Sequence, residues 1–493
     1  MKKEIILAID QGTTGSTALL LDHSGKVIGS HNQTFPQIYP KNDWVEHDPK
    51  DIWISVVDAV KNCLSKSNVD GHQISCIGIT NQRETSLLWN KKSGKTQGNA
   101  IVWQCKRTID FCENLKKQGL EDLIHNKTGL FLDPYFSGSK YNWLLNNFKD
   151  SLDSKDAILG TIDTYLVYLL TGKEKIITEP SNASRTLLCN IKTGQWDTEL
   201  LDIFKIPIEL LPTIHNSNEK FGVTKGLDFL PDGIPINGIL GDQQAALFGQ
   251  TCFAPNETKC TYGTGAFIMM NIGETPKFSD NGLLTTIACK TNDKIIYALE
   301  GTSFIAGAAV QWLRDGLGII DNAQEIEALA EQCQNSEEVS FIPALAGLGS
   351  PYWKPNTKGS INGLTRSTTK AHIARATLEG IALQNRDIIV AMEKEQEQPI
   401  SKLLVDGGAA SNKLLMQIQA DVLQTNLYCP QNLETTAIGA AYMAGFGAGI
   451  WENREQLRKL HNIANTYEFD QNTTECEKLI RKWDLNIKRL LVE

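Results

Sequence analysis

Three short stretches of the chain combine glycine with hydroxyl-bearing side chains in a way that suits phosphate. They are Asp10-Gln11-Gly12-Thr13-Thr14-Gly15-Ser16, Tyr262-Gly263-Thr264-Gly265, and Asp406-Gly407-Gly408-Ala409-Ala410-Ser411-Asn412. Glycine leaves backbone N–H groups unshielded and the Thr hydroxyls add donors, so such tips can hold phosphate oxygens. The first stretch alone reads equally as a tight turn, because these are ordinary turn residues. The three together suggest two loops gripping phosphates from opposite domains and one turn under an adenosine. Other nucleotide and hydrolase motifs are missing. Gly94-Lys95-Thr96 ends like a P-loop, but Trp89 stands where its first glycine belongs. Eight histidines and eleven cysteines are scattered without metal-ligand spacing, which argues against a zinc site.

These tips need hairpins to carry them. Ile5–Asp10 reads as a buried strand and Thr17–Asp22 as its partner; Thr258–Asn271 reads as a second hairpin of the same kind. Between them, Asp48-Pro49 starts a helix continued by Ile52, Val56, Val60, Cys63 and Leu64 at helical period. Ile74–Thr80 and Thr85–Trp89 read as strands, as does Leu403–Gly408. Ile236–Gly241 is an apolar strand feeding Asp242, a helix start where Asp is also ordinary N-cap chemistry. Alternating strands and helices predict an α/β class. The two hairpins predict two related domains, residues 1–249 and 250–493, joined around Gly249–Pro255.

The chain has 493 residues, 41% hydrophobic and 21% charged, which is ordinary globular composition and enough for at least two cores. Its net charge of −9, with no long basic run, predicts neither nucleic acid nor an anionic membrane surface as partner. The five-residue apolar run Ile5–Ile9 stops at Asp10, too short for a signal peptide, and no stretch approaches the ~18 apolar residues of a membrane span. Odd, scattered cysteines predict free thiols and a cytoplasmic location.

Several longer blocks are similar to the FGGY family of carbohydrate kinases. Tyr135–Trp143 resembles that family's first signature; Gly359–Leu364 followed by His372–Glu379 resembles its second. Gly78–Thr85, Ala100–Cys105, Gly241–Gln250 and Tyr262–Gly265 resemble the members that phosphorylate glycerol, and the resemblance runs from about residue 5 to about residue 450. It implies two actin-like (ribonuclease H-like) ATPase domains flanking a nucleotide and substrate cleft, with ATP and Mg²⁺ as cofactors and glycerol as acceptor. Arg83 and Glu84 would bond the acceptor's hydroxyls. Adjacent side chains on a strand point to opposite faces, so this pair must sit at a strand end or turn. Trp103, Tyr135, Gln243 and Phe267 would complete the acceptor pocket, and Asp242 would take the proton of the attacking hydroxyl. Asp10 would hold the magnesium ion. Thr13, Thr14 and Gly15 would contact phosphate on one side, with Gly263 and Thr264 opposite; Gly307, Gln311, Gly408 and Asn412 would hold the rest of the nucleotide. Similar proteins also form homodimers or tetramers.

The sequence departs from the family's pattern at Thr17, a phosphate-side position where relatives acting on glycerol have Arg. The segment Thr224–Pro235 carries neither the Arg nor the phosphorylatable His by which some relatives are regulated. Two alternatives stay open at this stage: a kinase for another polyol or a pentulose, and an ATP-binding module that phosphorylates nothing.

Overall fold

The structure, a computed structural model, describes residues 3–148 and 155–492. The predicted first hairpin is formed by β1 (Ile5–Gln11) and β2 (Gly15–Asp22), with β3 (Val27–Thr34) beyond them. β4 (Ile74–Asn81) lies parallel to β1 on its other side, β5 (Pro235–Gly241) lies parallel to β4, and the two-residue strand Gly222–Val223 forms the far edge. β1 is a continuous apolar run because both its faces are covered; β3, on the other edge, alternates half-buried and exposed residues. On one face lies helix α1 (Pro49–Lys66), capped as expected by Asp48, whose carboxylate accepts from Lys50 N at 2.8 Å. Its Ile52, Val56, Val60 and Leu64 are buried, each worth about 1.5–3 kcal/mol.

Past helix α2 (Asp242–Gly249) the pattern repeats. β6 (Thr258–Tyr262) and β7 (Ala266–Gly273) pair as the second predicted hairpin. β8 (Leu284–Thr291) and β9 (Lys294–Ser303) form a further hairpin, and β9, the later strand, is the one that pairs with β7. On the other side of β6 come β10 (Leu403–Asp406), β11 (Leu427–Pro430) and the edge strand β12 (Ile463–Tyr467), the first two parallel to the preceding strand. Both sheets thus place an antiparallel hairpin beside parallel strands, with a glycine-bearing tip at corresponding positions.

One helix crosses the halves. Helix α3 (Thr435–Gly447) comes late in the chain but packs on β1, β4 and β5 of the first sheet and against α2. Glycines make this close approach possible: a Cβ on Gly439 would fall on the Ala245 carbonyl oxygen, and one on Gly78 on that of Ala440. Ala437, Ala440 and Ala444 of α3 join Ile6, Leu19 and Leu21 of the first sheet with Met269, Ala298 and Leu404 of the second in one core. The halves therefore meet through packed apolar surface rather than a linker alone. All eleven cysteines are free, and no described helix is long and apolar enough to cross a membrane.

Candidate active site

Both hairpin tips close in the same way, through a bond between glycine backbones. Gly12 N donates to Gly15 O at 2.9 Å, and Gly263 N to Gly265 O at 2.8 Å. A Cβ on Gly15 would sit 2.9 Å from the Gln33 carbonyl oxygen, so only glycine fits. Thr14, Gly263 and Thr264 are exposed and Thr13 is half-buried. The first tip is braced from below: Gln37 Nε2 donates to Thr13 O (3.1 Å) and Gln82 Nε2 to Gln11 Oε1 (3.0 Å). Between these amides His47 lies 2.8 Å from Gln37 and 3.3 Å from Gln82, and its burial pushes its pKa down to about 4. The second tip rests on the start of helix Gly307–Asp315, where Gly307 N donates to Gly263 O (3.0 Å) and Ala306 N to Thr264 O (2.8 Å). Gln311 is exposed on that helix.

The third glycine turn adjoins the second tip. Gly407 has φ of 85°, and a Cβ there would meet the Tyr262 carbonyl oxygen, whereas Gly408 faces open space. Asn412 caps helix Lys413–Leu423 by accepting from Leu415 N at 2.8 Å. Thr17 is engaged within the sheet instead: it stands opposite Asp10 and accepts from Asn32 Nδ2 at 2.9 Å.

Arg83 and Glu84 sit in a turn just after β4, which lets neighbouring side chains converge. Glu84 has a left-handed backbone (φ 59°), a conformation costing about 1–3 kcal/mol for a non-glycine residue. Its carbonyl is pinned by the hydroxyls of Ser86 and Ser137, each at 3.0 Å. Asp242 is the first residue of α2, capped by Gly241 rather than itself an N-cap. Its carboxylate instead accepts from Gln243 N (2.7 Å) and lies 3.0 Å from Arg83 Nε. Trp103 Nε1 donates to Thr13 Oγ1 at 3.0 Å, tying this indole to the first tip, and its ring meets Tyr135 edge-on at 5.4 Å. Phe267 is half-buried on β7, paired with Thr261 and Thr302. Direct contacts thus link Arg83 with Glu84 and Asp242, and separately Trp103 with Tyr135 and Thr13, while Phe267 belongs to the second sheet.

Three residues of this site escaped the sequence reading, and a fourth, Asp406, was seen only as the start of the third glycine stretch. Glu300, fully buried on β9, receives both Nη atoms of Arg83 at 2.8 Å. Arg185, also fully buried, donates to Glu84 (2.6 Å) and lies 3.1 Å from Glu300. Lys259 is buried on β6, donating to Gln243 and to Thr261 Oγ1 (2.9 Å), and Asp406 receives Gln250 (2.6 Å) and Thr435 (2.7 Å). The signal for Glu300 was a charge interrupting an apolar strand, Ile295-Ile296-Tyr297-Ala298-Leu299-Glu300; Arg185 lies instead in the short helical turn Ser184–Thr186. Burial would raise the Glu300 carboxyl, but the guanidiniums of Arg185 and Arg83 hold it down to about 2. Asp242 moves the other way: burial lifts its carboxyl above the usual range, against the pull of Arg83. Asp10 is raised well above that range, by burial and then by the negative charges of Asp242 and Glu434.

That carboxylate repulsion marks a place where a cation is favourable. Among the described residues no group of three or more His, Cys, Asp or Glu side chains is set to hold a metal. This suits Mg²⁺, which keeps its waters and uses one or two carboxylates together with nucleotide phosphates. The donor set fits such an ion with Asp10 as its carboxylate.

The family model for the N-terminal domain of FGGY carbohydrate kinases matches residues 5–249, and that for the C-terminal domain matches residues 258–448. The chain belongs to the FGGY family of carbohydrate kinases. It is 51% identical over 489 residues to the glycerol kinase of Bdellovibrio bacteriovorus, covering 98% of this chain and 99% of that protein. To the glycerol kinase of Myxococcus xanthus it is 49% identical over 493 residues, covering 99% of each. The crystal structure of Plasmodium falciparum glycerol kinase with ADP superposes with a TM-score of 0.92 at 35% identity, covering 100% of this chain and 99% of that one. The two-domain, mixed α/β fold of FGGY kinases is therefore the fold of this chain.

Proposed function

We propose that this FGGY kinase transfers the γ-phosphoryl group of ATP to a terminal hydroxyl of glycerol, giving sn-glycerol 3-phosphate in glycerol catabolism. The observation that carries the reading is the direct linkage of Asp242, Arg83 and Glu84 beside two glycine hairpin tips, in a chain about half identical to glycerol kinases along its length.

The acceptor's hydroxyls meet a donor and an acceptor that are already oriented. Of the five N–H groups of Arg83, one faces Asp242, one Gln244, and two Glu300, which leaves one for a hydroxyl oxygen. Glu84 uses one carboxylate oxygen on Arg185; among the described residues the other has no hydrogen bond, and it accepts a hydroxyl proton. Trp103, Tyr135 and Phe267 cover the carbon edge and exclude water. Asp242 accepts the proton of the attacking hydroxyl, and its elevated proton affinity suits it as a base at neutral pH. Thr13, Thr14 and Gly15 face the phosphates from one side, Gly263 and Thr264 from the other. Asp10 would hold Mg²⁺, which would supply positive charge against the phosphate oxygens. The transition state of such a transfer is loose, so positioning and charge matter more than a strong base.

We take the two domains as residues 1–249 and 250–493, the second lending α3 to the first, and the protein as a cytoplasmic homo-oligomer. Product analysis tests the reaction: with ATP, Mg²⁺ and glycerol, phosphorus NMR should show a single phosphomonoester on a terminal carbon. Phosphate at the central carbon, or inorganic phosphate alone, would refute it.

A further inference from the structure

Glu300 touches neither the nucleotide tips nor the open cleft, yet it holds the acceptor site's arginine by both terminal nitrogens. It approaches from the other sheet. Arg83 follows β4, whereas Glu300 lies on β9, so the bidentate pair bridges the two halves of the molecule. The same carboxylate pairs with Arg185, which in turn fixes Glu84. The result is a buried set of two arginines and two glutamates, balanced in charge, with Asp242 tethered to its edge.

We propose that Glu300 is the positioning residue of the acceptor site, fixing through Arg83 both the N–H left for the polyol hydroxyl and the tether on Asp242. The inference rests on the reading of Arg83 and Asp242 as acceptor-binding and proton-accepting groups. Its geometry follows from the fork. Two bonds to Glu300 lock the guanidinium plane, and the Nε–H then has one direction, toward Asp242. A lone cation of the same charge, free to rotate, fixes neither. β9 ends at Ser303, and four residues on the chain reaches Gly307 at the start of the next helix, whose N–H supports the second glycine tip. One short stretch, from Glu300 near the end of β9 to Gly307, therefore carries both the clamp on the acceptor's arginine and the support of the phosphate-side hairpin. The acceptor hydroxyl is set in register with the phosphoryl group by this shared stretch.

A structural ion pair and a positioning residue predict different kinetics. In the full chain, Glu300→Gln keeps the side chain's size but gives Arg83 one acceptor oxygen in place of two. We expect the glycerol KM to rise by about 10- to 100-fold, the range for a lost charge-assisted bond, with the ATP KM unchanged. Combining Glu300→Gln with Arg83→Lys should cost scarcely more than Arg83→Lys alone, because the first change acts through the arginine. If the Gln variant does not fold, Glu300→Asp, which keeps the charge but draws it back by one methylene, carries the same comparisons. An unchanged glycerol KM, an equal rise in ATP KM, or multiplying losses in the double variant would each overturn the inference. A wild-type chain that does not phosphorylate glycerol would instead overturn the functional reading, a separate result visible before any variant is made.

Discussion

Arg83 Nε lies 3.0 Å from the Asp242 carboxylate, so the side chain that would bind the acceptor also holds the group that would take its proton. Burial and that contact act oppositely on Asp242: burial raises its proton affinity, and the guanidinium keeps the ionised form accessible. A carboxylate left alone in such a site would stay protonated and could not serve as a base.

Asp242→Asn preserves the hydrogen-bonding shape but removes the proposed base. Turnover should fall by about 10²- to 10⁴-fold, while the melting temperature changes little. In the wild type, kcat/KM should decline as pH falls through the Asp242 pKa, with that acid limb above the range of a free carboxylate. Steady-state rates against pH, beside thermal melts, check both; an Asn variant keeping near-normal kcat would contradict the assignment.

Arg83→Lys keeps the charge and loses the fork. A single ammonium cannot serve Glu300, Gln244 and Asp242 at once. The glycerol KM should rise, and stability should drop by about 1–3 kcal/mol as buried acceptors lose partners. Denaturant unfolding and glycerol titrations measure the two effects separately.

Protonation of His47 couples acid pH to the first glycine tip. Its folded pKa of about 4 is depressed, and the unfolded value is near 6.5. Stability from this group is complete above pH 6.5 and is lost as pH falls toward 4, reaching about 3 kcal/mol. His47→Gln should flatten that part of the stability profile. Because His47 bonds Gln37, which holds Thr13 O, the ATP KM of the folded wild type should hold down to about pH 5 and rise only as pH falls toward 4, where folded His47 gains its proton.

Gly439→Val would drive a side chain into the Ala245 carbonyl where α3 crosses α2. Overpacking of this kind costs about 1–3 kcal/mol. Since the crossing joins the halves, turnover should fall along with the melting temperature; a variant with unaltered melting and rate would contradict this account of the crossing.

Local features of this chain were legible in its sequence, and long-range ones were not. Both glycine hairpins, the Asp48-Pro49 helix start and the strand leading to Asp242 follow from short-range pattern. The convergence of Arg83 and Glu84 was foreseen only as a requirement for a turn, which the left-handed backbone of Glu84 supplies. Glu300 and Arg185 were missed because their partners lie over one hundred residues away, and a lone charge, whether in the apolar strand of Glu300 or the helical turn of Arg185, does not name its counter-ion. The docking of α3 on the first sheet was likewise hidden. Gly78, Gly249 and Gly439 look like ordinary glycines until two backbones are brought together.

The most direct test of the central claim is ATP consumption by the purified chain with Mg²⁺ across glycerol, dihydroxyacetone, erythritol, xylulose, ribulose and gluconate, each beside a control without acceptor. The account predicts consumption confined to glycerol and its triose neighbour. Consumption with a pentulose or gluconate alone, or hydrolysis indifferent to acceptor, would contradict it.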